Sequence, residues 1–312
     1  TNKFNITYSE IENGTSPRLI KEFSEKAKQG KIPLILFSTY NSANRIAEGL
    51  PDENINIVVN DEAQYLVQDN FHDIIRILNS KKCFFFTATT IHTPSDKGRG
   101  MNNEDSYGKI IYMMSPREAI NRGKMVRPRL HYITSNNKEY TKEEYDGSLN
   151  SLIVESFNQH GYILGKYVKP KLLITVKGVG DIQKMLNSKE YRKLLKIGVK
   201  IYAVASDEKI GNDINGVKVS RREFLKRLKE DGKNPQQEMI ILHYDILAEG
   251  IDVPGITGIM PLRNLGKSKF LQTFGRAARL ESEDRYNIEH NIVKPDELDK
   301  LNKPFSWIII PS

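Results

Sequence analysis

The sequence has 312 residues, 38% hydrophobic and 28% charged, which excludes a disordered chain and leaves length for about two domains. Its apolar runs, such as 32–37 and 83–86, fall far short of the roughly 20 residues that span a bilayer, no signal-peptide pattern opens it, and the single cysteine, Cys83, excludes an internal disulfide framework and a cysteine-rich zinc site. Lys and Arg number 47 against 39 for Asp and Glu, a net +8 that suits a polyanionic partner without requiring one.

Runs rich in β-branched and aromatic residues predict strands at 33–39, 56–59, 83–87, 110–113, 130–134, 172–176, 200–205, 238–243, 256–261 and 306–310. Most are continuous rather than alternating, the pattern of strands buried on both faces. Amphipathic stretches between them predict helices at 17–29, 43–50, 71–78, 181–196, 221–231 and 268–280. Strand–helix–strand repetition implies an α/β protein with parallel sheets. The alternation is interrupted by 136–147 (NNKEYTKEEYDG), a polar stretch that places one lobe at 1–135, a linker at 136–150 and a second lobe at 151–312. Residues 206–219 (SDEKIGNDINGVKV) read as a surface loop of the second lobe. Cys83 opens an aromatic run and reads as a buried core thiol, and the six histidines lack metal-ligand spacing. A reducing cytoplasm is the expected compartment, with no membrane partner.

Four segments carry candidate chemistry. Residues 56–60 (NIVVN) end in Asp61, Glu62, Ala63 and Gln64. Two adjacent carboxylates at the carboxyl end of a buried strand cost free energy unless a cation meets them. In α/β nucleotide enzymes that cation is Mg²⁺, held by an Asp at the strand tip, and the next carboxylate can orient or deprotonate a water. A plain surface Asp-Glu pair explains the tetrapeptide equally well. One helix downstream, 83–89 (CFFFTAT) ends in Thr87 and Thr89, whose hydroxyls either reflect β-propensity or sit beside the acidic tip. Residues 243–255 (HYDILAEGIDVPG) hold Glu249, Gly250 and Asp252 in a turn-rich loop. In 271–279 (LQTFGRAAR), Gln272, Arg276 and Arg279 fall near one helical face and could clamp phosphate oxygens. Gly275 costs the helix about 1 kcal/mol against Ala, which suggests a close approach there.

In this order, DEAQ, TAT, AEGID and QTFGRAAR resemble motifs II, III, V and VI of superfamily 2 helicases and translocases. Residues 34–42 (LILFSTYNS) resemble the strand and loop that contact nucleic acid in domain 1, and 172–176 (LLITV) resemble motif IV. Residues 100–108 and 115–123 resemble the interdomain stretch of DEAD/DEAH-like helicases related to restriction-enzyme motors and large-DNA-virus helicases. The resemblance spans about 32–280. It implies two RecA-like lobes in tandem with ATP hydrolysed between them, and a DNA helicase or translocase activity. Asp61, with Glu62, would hold Mg²⁺, and Glu62 would polarise the attacking water. Gln64 would sense the γ-phosphate, and Thr87 and Thr89 would couple hydrolysis to movement. Gly250 and Asp252 would contact the ribose or relay nucleic-acid contact. Arg276 and Arg279 would reach the γ-phosphate, supported by Gln272. Ser38, Thr39, Tyr40 and Ser42 would contact nucleic acid, DNA being the expected partner beside ATP.

One part of the pattern is missing. Residues 1–60 hold no G-x-x-x-x-G-K-[ST] loop. Gly266-Lys267-Ser268 imitates its end, but Pro261 stands where the earlier glycine is required. The first lobe is therefore expected to be incomplete at its N-terminus, with an open slot beside the Asp61 strand. The chain, which opens on Thr1, reads as a fragment that is inactive alone. Two alternatives stay open. One is a nucleic-acid-binding fragment without catalysis. The other is an unrelated dinucleotide or nucleotide-sugar enzyme, suggested by Gly178-Val179-Gly180 after a strand, although Gln183 replaces the third glycine.

Overall fold

Pro17 supplies a preset φ for the first turn of α1 (Pro17–Gly30), whose Ile20, Ser24 and Ala27 form the buried stripe at helical spacing. In the computed structural model, which describes residues 16–50, 55–78, 80–94, 98–133, 150–151, 153–158, 168–207, 210–244 and 253–311, the chain divides into two compact units, Thr1–Tyr112 and Met113–Ser312. None of the described helices is long and apolar enough to cross a membrane.

In the first unit, α1 packs on α2 (Ala43–Gly49). A Cβ on Gly49 would lie 2.8 Å from both Ile20 Cβ and Pro17 O, so only glycine permits that crossing. Strand β1 (Ile55–Asn60) pairs in parallel with β2 (Ser80–Phe85), from Ile55 opposite Ser80 to Asn60 opposite Phe85. Between them lies the short α3 (Ile74–Ile77), and α4 (Glu104–Tyr107) follows, capped by the Asn103 side chain. The core gathers Ala43, Ala63, Leu66, Ile74 and Tyr107.

Two runs expected as strands, 33–39 and 110–113, belong to no ladder. Their side chains are exposed, Phe37 at 88% and Ile111 at 83%. Composition sets only a preference; a strand needs a hydrogen-bonded neighbour, and neither run has one among the described residues. Burial on both faces fails for β1 and β2 as well, where Ile57, Val59 and Phe84 are exposed. Cys83 is half-buried rather than deep in a core.

The second unit is a doubly wound sheet. It opens with α5 (Pro116–Asn121), whose cap is the Ser115 hydroxyl accepting from Glu118 N–H. Then follow β3 (Arg127–Ile133), β4 (Lys171–Thr175), α6 (Val179–Asn187), α7 (Lys189–Lys196), β5 (Lys200–Val204), β6 (Asn212–Ile214), β7 (Val217–Lys218), α8 (Arg221–Lys233), β8 (Met239–His243), β9 (Gly258–Pro261), α9 (Gly266–Ala277), α10 (Ser282–Glu289) and β10 (Phe305–Pro311). The spatial order is β3-β10-β9-β4-β8-β5-β6-β7, parallel through β5 and antiparallel at β6 and β7. Leu172, Ile174, Ile240 and Leu242 face Ile182, Met185 and Tyr191 of α6 and α7. Leu173 and Ile241 face Phe224, Leu228 and Phe274 of α8 and α9 on the other side. In β4 and β8 the continuous apolar runs do mark strands buried on both faces, whereas β3 leaves Leu130 and Tyr132 exposed.

Three expectations are corrected. Residues 127–133, placed by sequence in the first lobe (1–135), form β3, which pairs with β10 along its whole length. The division falls between Tyr112 and Met113, because composition reveals a strand but not the sheet it joins. The polar stretch 136–147 lies outside the described residues. The loop expected at 206–219 contains the β6–β7 hairpin, closed by Asn215 and Gly216 at φ 56° and 85°, the left-handed pair that a two-residue hairpin turn requires. The single helix expected at 181–196 is two helices, divided at Ser188, whose hydroxyl caps α7 by accepting from Tyr191 N–H.

Candidate active site

At the carboxyl end of the two parallel strands, Phe86 N–H donates to Asn60 O at 2.8 Å and Ala63 N–H donates to Phe86 O at 2.9 Å. These bonds carry the pairing past the strand ends and leave Asp61 and Glu62 at the exposed tip. Glu62 sits at φ 50°, a left-handed conformation that non-glycine residues adopt at a cost. The turn after it, Ala63–Val67, buries Ala63, Gln64 and Leu66 and so anchors the tip. Asp61 Oδ1 accepts from Glu62 N–H at 3.0 Å.

Gln64 joins the two segments. Its Nε2 donates to Glu62 Oε2 at 2.7 Å, and its Oε1 accepts from the Thr87 hydroxyl at 2.6 Å. The Thr87 hydroxyl also lies 2.8 Å from Thr89 O and accepts from Thr89 N–H at 3.1 Å. Its single proton serves Gln64 or Thr89 at any moment. The four residues singled out for the acidic and hydroxyl motifs besides Asp61 thus form one connected network. One layer below, Asn60 Nδ2 donates to Cys83 Sγ at 3.0 Å, and burial pushes that thiol above its ordinary pKa.

The candidate nucleic-acid loop is in the same unit. Ser38 and Thr39 are exposed; Ser38 Oγ donates to Thr39 O, and Thr39 Oγ1 and Ser42 Oγ lie 3.4 Å apart. Tyr40 differs from its neighbours. It is half-buried, tilted against Phe71 with centroids 5.9 Å apart, and its hydroxyl donates to Asp61 O at 2.5 Å.

In the second unit, Gln272 and Arg276 lie on α9, Arg276 with 8% of its surface exposed. Arg279 does not continue that helical face: α9 ends at Ala277, and Arg279 is exposed beyond it. Two donors end the helix. Lys303 Nζ donates to Ala277 O at 2.9 Å and to Ile256 O at 3.0 Å, and Val126 N–H donates to Ala278 O at 2.8 Å. Lys303 is fully buried, and desolvation pushes its pKa down to about 8. The backbone N–H groups of Asn302 and Lys303 donate to the Asp284 carboxylate. Sequence reading missed Lys303, since a lone lysine ahead of a strand carries no signal. A Cβ at Gly275 would meet nothing within 4 Å, so that side of α9 is open in its own unit. Gly250 and Asp252 lie outside the described residues.

The glycine sequences that imitate phosphate loops are satisfied by their own side chains. Gly178 N–H donates to Asp181 Oδ2, and Gly266 N–H donates to Asn264 Oδ1. Of the histidines, His243 is buried, with Nε2 2.9 Å from Thr175 Oγ1 across neighbouring strands, a structural pairing. Among the described residues, no group of three or more His, Cys, Asp and Glu could hold a metal ion by itself. Asp61 and Glu62 nevertheless fit Mg²⁺, which takes one or two carboxylates and completes its shell with water and substrate phosphates.

No family model matches the chain, and no curated protein does. Solved structures do. The chain is similar to the ATP-dependent Type ISP restriction-modification enzyme LlaBIII bound to DNA, with TM-score 0.64, 16% identity and 95% of this chain covered. It is also similar to the helicase Lhr of Mycobacterium smegmatis bound to ssDNA and AMP-PNP, with TM-score 0.52, 12% identity and 92% covered. A third is the DUF1998 helicase MrfA bound to DNA, with TM-score 0.51, 15% identity and 93% covered. The chain shares the fold of these helicase structures. Within that helicase fold it spans only part of each relative: 21% of the restriction enzyme, 33% of Lhr and 34% of MrfA. The two units match helicase RecA-like lobes, and the acidic tip of β1 belongs to the first.

Proposed function

We propose that the chain belongs to the motor of a nucleic-acid-dependent ATPase, a DNA helicase or translocase. The observation that carries this reading is the network from Glu62 through Gln64 to Thr87 at the tips of two parallel strands, in a chain with a helicase fold. Nucleic acid and nucleotide analogues in the related structures support the same partners here.

In this reading Asp61 and Glu62 would hold Mg²⁺, which would supply charge neutralisation for the phosphates of ATP. Glu62, held by Gln64 Nε2, orients and accepts a proton from the water that attacks the γ-phosphate of ATP. The Gln64 amide links that carboxylate to Thr87, so a change at Glu62 is felt at the end of β2. Arg276 and Arg279, with Gln272, offer guanidinium and amide donors to phosphate oxygens. Ser38, Thr39 and Ser42 offer hydroxyls to a nucleic-acid backbone.

The test is ATP hydrolysis by the whole protein with and without single-stranded DNA. Hydrolysis is stimulated by DNA, and Glu62→Gln lowers kcat on the order of 100-fold. An unchanged rate in Glu62→Gln removes the catalytic assignment.

A further inference from the structure

Ser38, Thr39 and Ser42 form a small exposed hydroxyl cluster, whereas Tyr40, in the middle of it, turns its polar atom inward. Its hydroxyl reaches a backbone carbonyl 21 positions away, that of Asp61, at 2.5 Å. The ring is held from behind by Phe71 and by the core around Ala43 and Ala63. Asp61 O is not an arbitrary acceptor. The next peptide leads into Glu62, which holds a left-handed φ of 50°. From Glu62 the network continues through Gln64 to Thr87.

We infer that Tyr40 is a positioning residue that transmits engagement of single-stranded nucleic acid at the Ser38–Thr39–Ser42 hydroxyls to the Asp61–Glu62 tip, rather than a contact to the nucleic acid itself. This rests on the functional reading above and adds its regulation. The rigid part is short: one aromatic ring and one hydrogen bond join loop and tip, and Tyr40 begins the turn that ends at Ser42, closed by Ser42 N–H donating to Thr39 O. A displacement of that turn must move the phenol, and the phenol must carry or release the Asp61 carbonyl. A base-stacking tyrosine uses its ring and leaves its hydroxyl dispensable. Here the hydroxyl is the connecting atom.

Tyr40→Phe keeps the ring and deletes only that donor. The experiment uses this chain and a poly-dT oligonucleotide, with affinity read by fluorescence anisotropy and amide exchange read over residues 60–64. In the parent chain, saturating oligonucleotide slows exchange of the 60–64 peptide at least threefold. In Tyr40→Phe the Kd stays within twofold of the parent, and the slowing at 60–64 is lost. Equal slowing in both chains overturns the coupling and leaves the functional reading standing. A Kd weakened tenfold by the loss of the hydroxyl also overturns it, because Tyr40 is then a contact. A parent chain that does not bind the oligonucleotide overturns both this inference and the functional reading. A purely structural hydroxyl lowers stability in both ligation states alike and leaves the exchange response to oligonucleotide intact.

Discussion

Gln64 shows how one uncharged side chain can serve two partners that differ in kind. Its nitrogen meets a carboxylate and its oxygen meets a hydroxyl, so amide orientation is set by chemistry at both ends. Thr87→Val is nearly isosteric and deletes only the hydroxyl. It leaves Gln64 Oε1, in a buried residue, without its donor, and it removes the side-chain link from Gln64 to the end of β2 while the backbone bonds between the tips remain. On the proposed function kcat for DNA-stimulated hydrolysis falls about 10-fold with DNA affinity unchanged, and Thr87→Ser, which retains the hydroxyl, recovers most of it. Lys303 is the corresponding residue of the second unit. Its ammonium lies buried over the carbonyls of Ala277 and Ile256, and its pKa falls from 10.5 to about 8. The unfolded lysine keeps its proton to about 10.5. Between roughly 8 and 10.5 the unfolded chain therefore holds more protons, and stability rises with pH. Lys171, buried and also pushed down, acts in the same direction. From about 10 upward the buried Tyr191 and Tyr202, both pushed up, reverse the trend, because the unfolded phenols ionise first. Thermal melts of the second unit should gain roughly 2–3 kcal/mol from pH 8 to pH 10. Lys303→Met flattens that rise while lowering stability at neutral pH, as it leaves two buried carbonyls without their donor.

At the scale of elements, α8 carries a test in which two effects of opposite sign compete. Gly232 lies in its last turn, and replacing a helical glycine by alanine ordinarily stabilises by about 1 kcal/mol. Here a Cβ would stand 2.7 Å from the backbone oxygen of Pro254, and the reciprocal approach is as close, since a Cβ on Gly255 would stand 2.2 Å from Gly232 O. Backbone cannot step aside as a flexible side-chain end can. Gly232→Ala therefore destabilises the second unit by about 1–3 kcal/mol, read as a lower urea midpoint with unchanged slope. That contact, between a helix and the loop after residue 252, has no trace in the sequence. What was legible were elements whose burial is complete: β4, β5 and β8 read directly as continuous apolar runs because helices cover both faces of their sheet. The acidic tip and the hydroxyl pair were legible for a different reason, since carboxylates and threonines at strand ends conflict with a core and so stand out. Illegible were features decided by a distant partner. Strand β3 joins β10 and not the sheet before it, α9 stops at Ala277 because Lys303 and Val126 take its last carbonyls, and Tyr40 turns its hydroxyl to Asp61. The Asn215-Gly216 turn was a local signal that its polar surroundings concealed.

Over the whole molecule the two units differ in how much apolar surface they bury, and this governs how the chain unfolds. Among the described residues, the first unit rests on a two-stranded sheet and one small cluster around Ala63, Leu66 and Tyr107. A two-stranded sheet is marginal by itself in water, and several of its apolar side chains are exposed. The second unit packs helices against both faces of an eight-stranded sheet, with Leu172, Ile174, Tyr191 and Phe224 fully enclosed. Free energies of opening follow such differences in burial, so the first unit should open well below the global transition. The chain offers a direct reading of the order, because its single tryptophan, Trp307, lies in β10 of the second unit and is buried. In a urea titration, far-UV dichroism registers loss of α1 and α2 early, while Trp307 emission stays native until the second unit unfolds. Amide exchange places β1 and β2 in the fast group and β4, β5 and β8 in the slowest. Coincident dichroism and fluorescence curves with equal midpoints would mean that the two units unfold as one cooperative body, and that the small first core draws its stability from contacts beyond its own cluster.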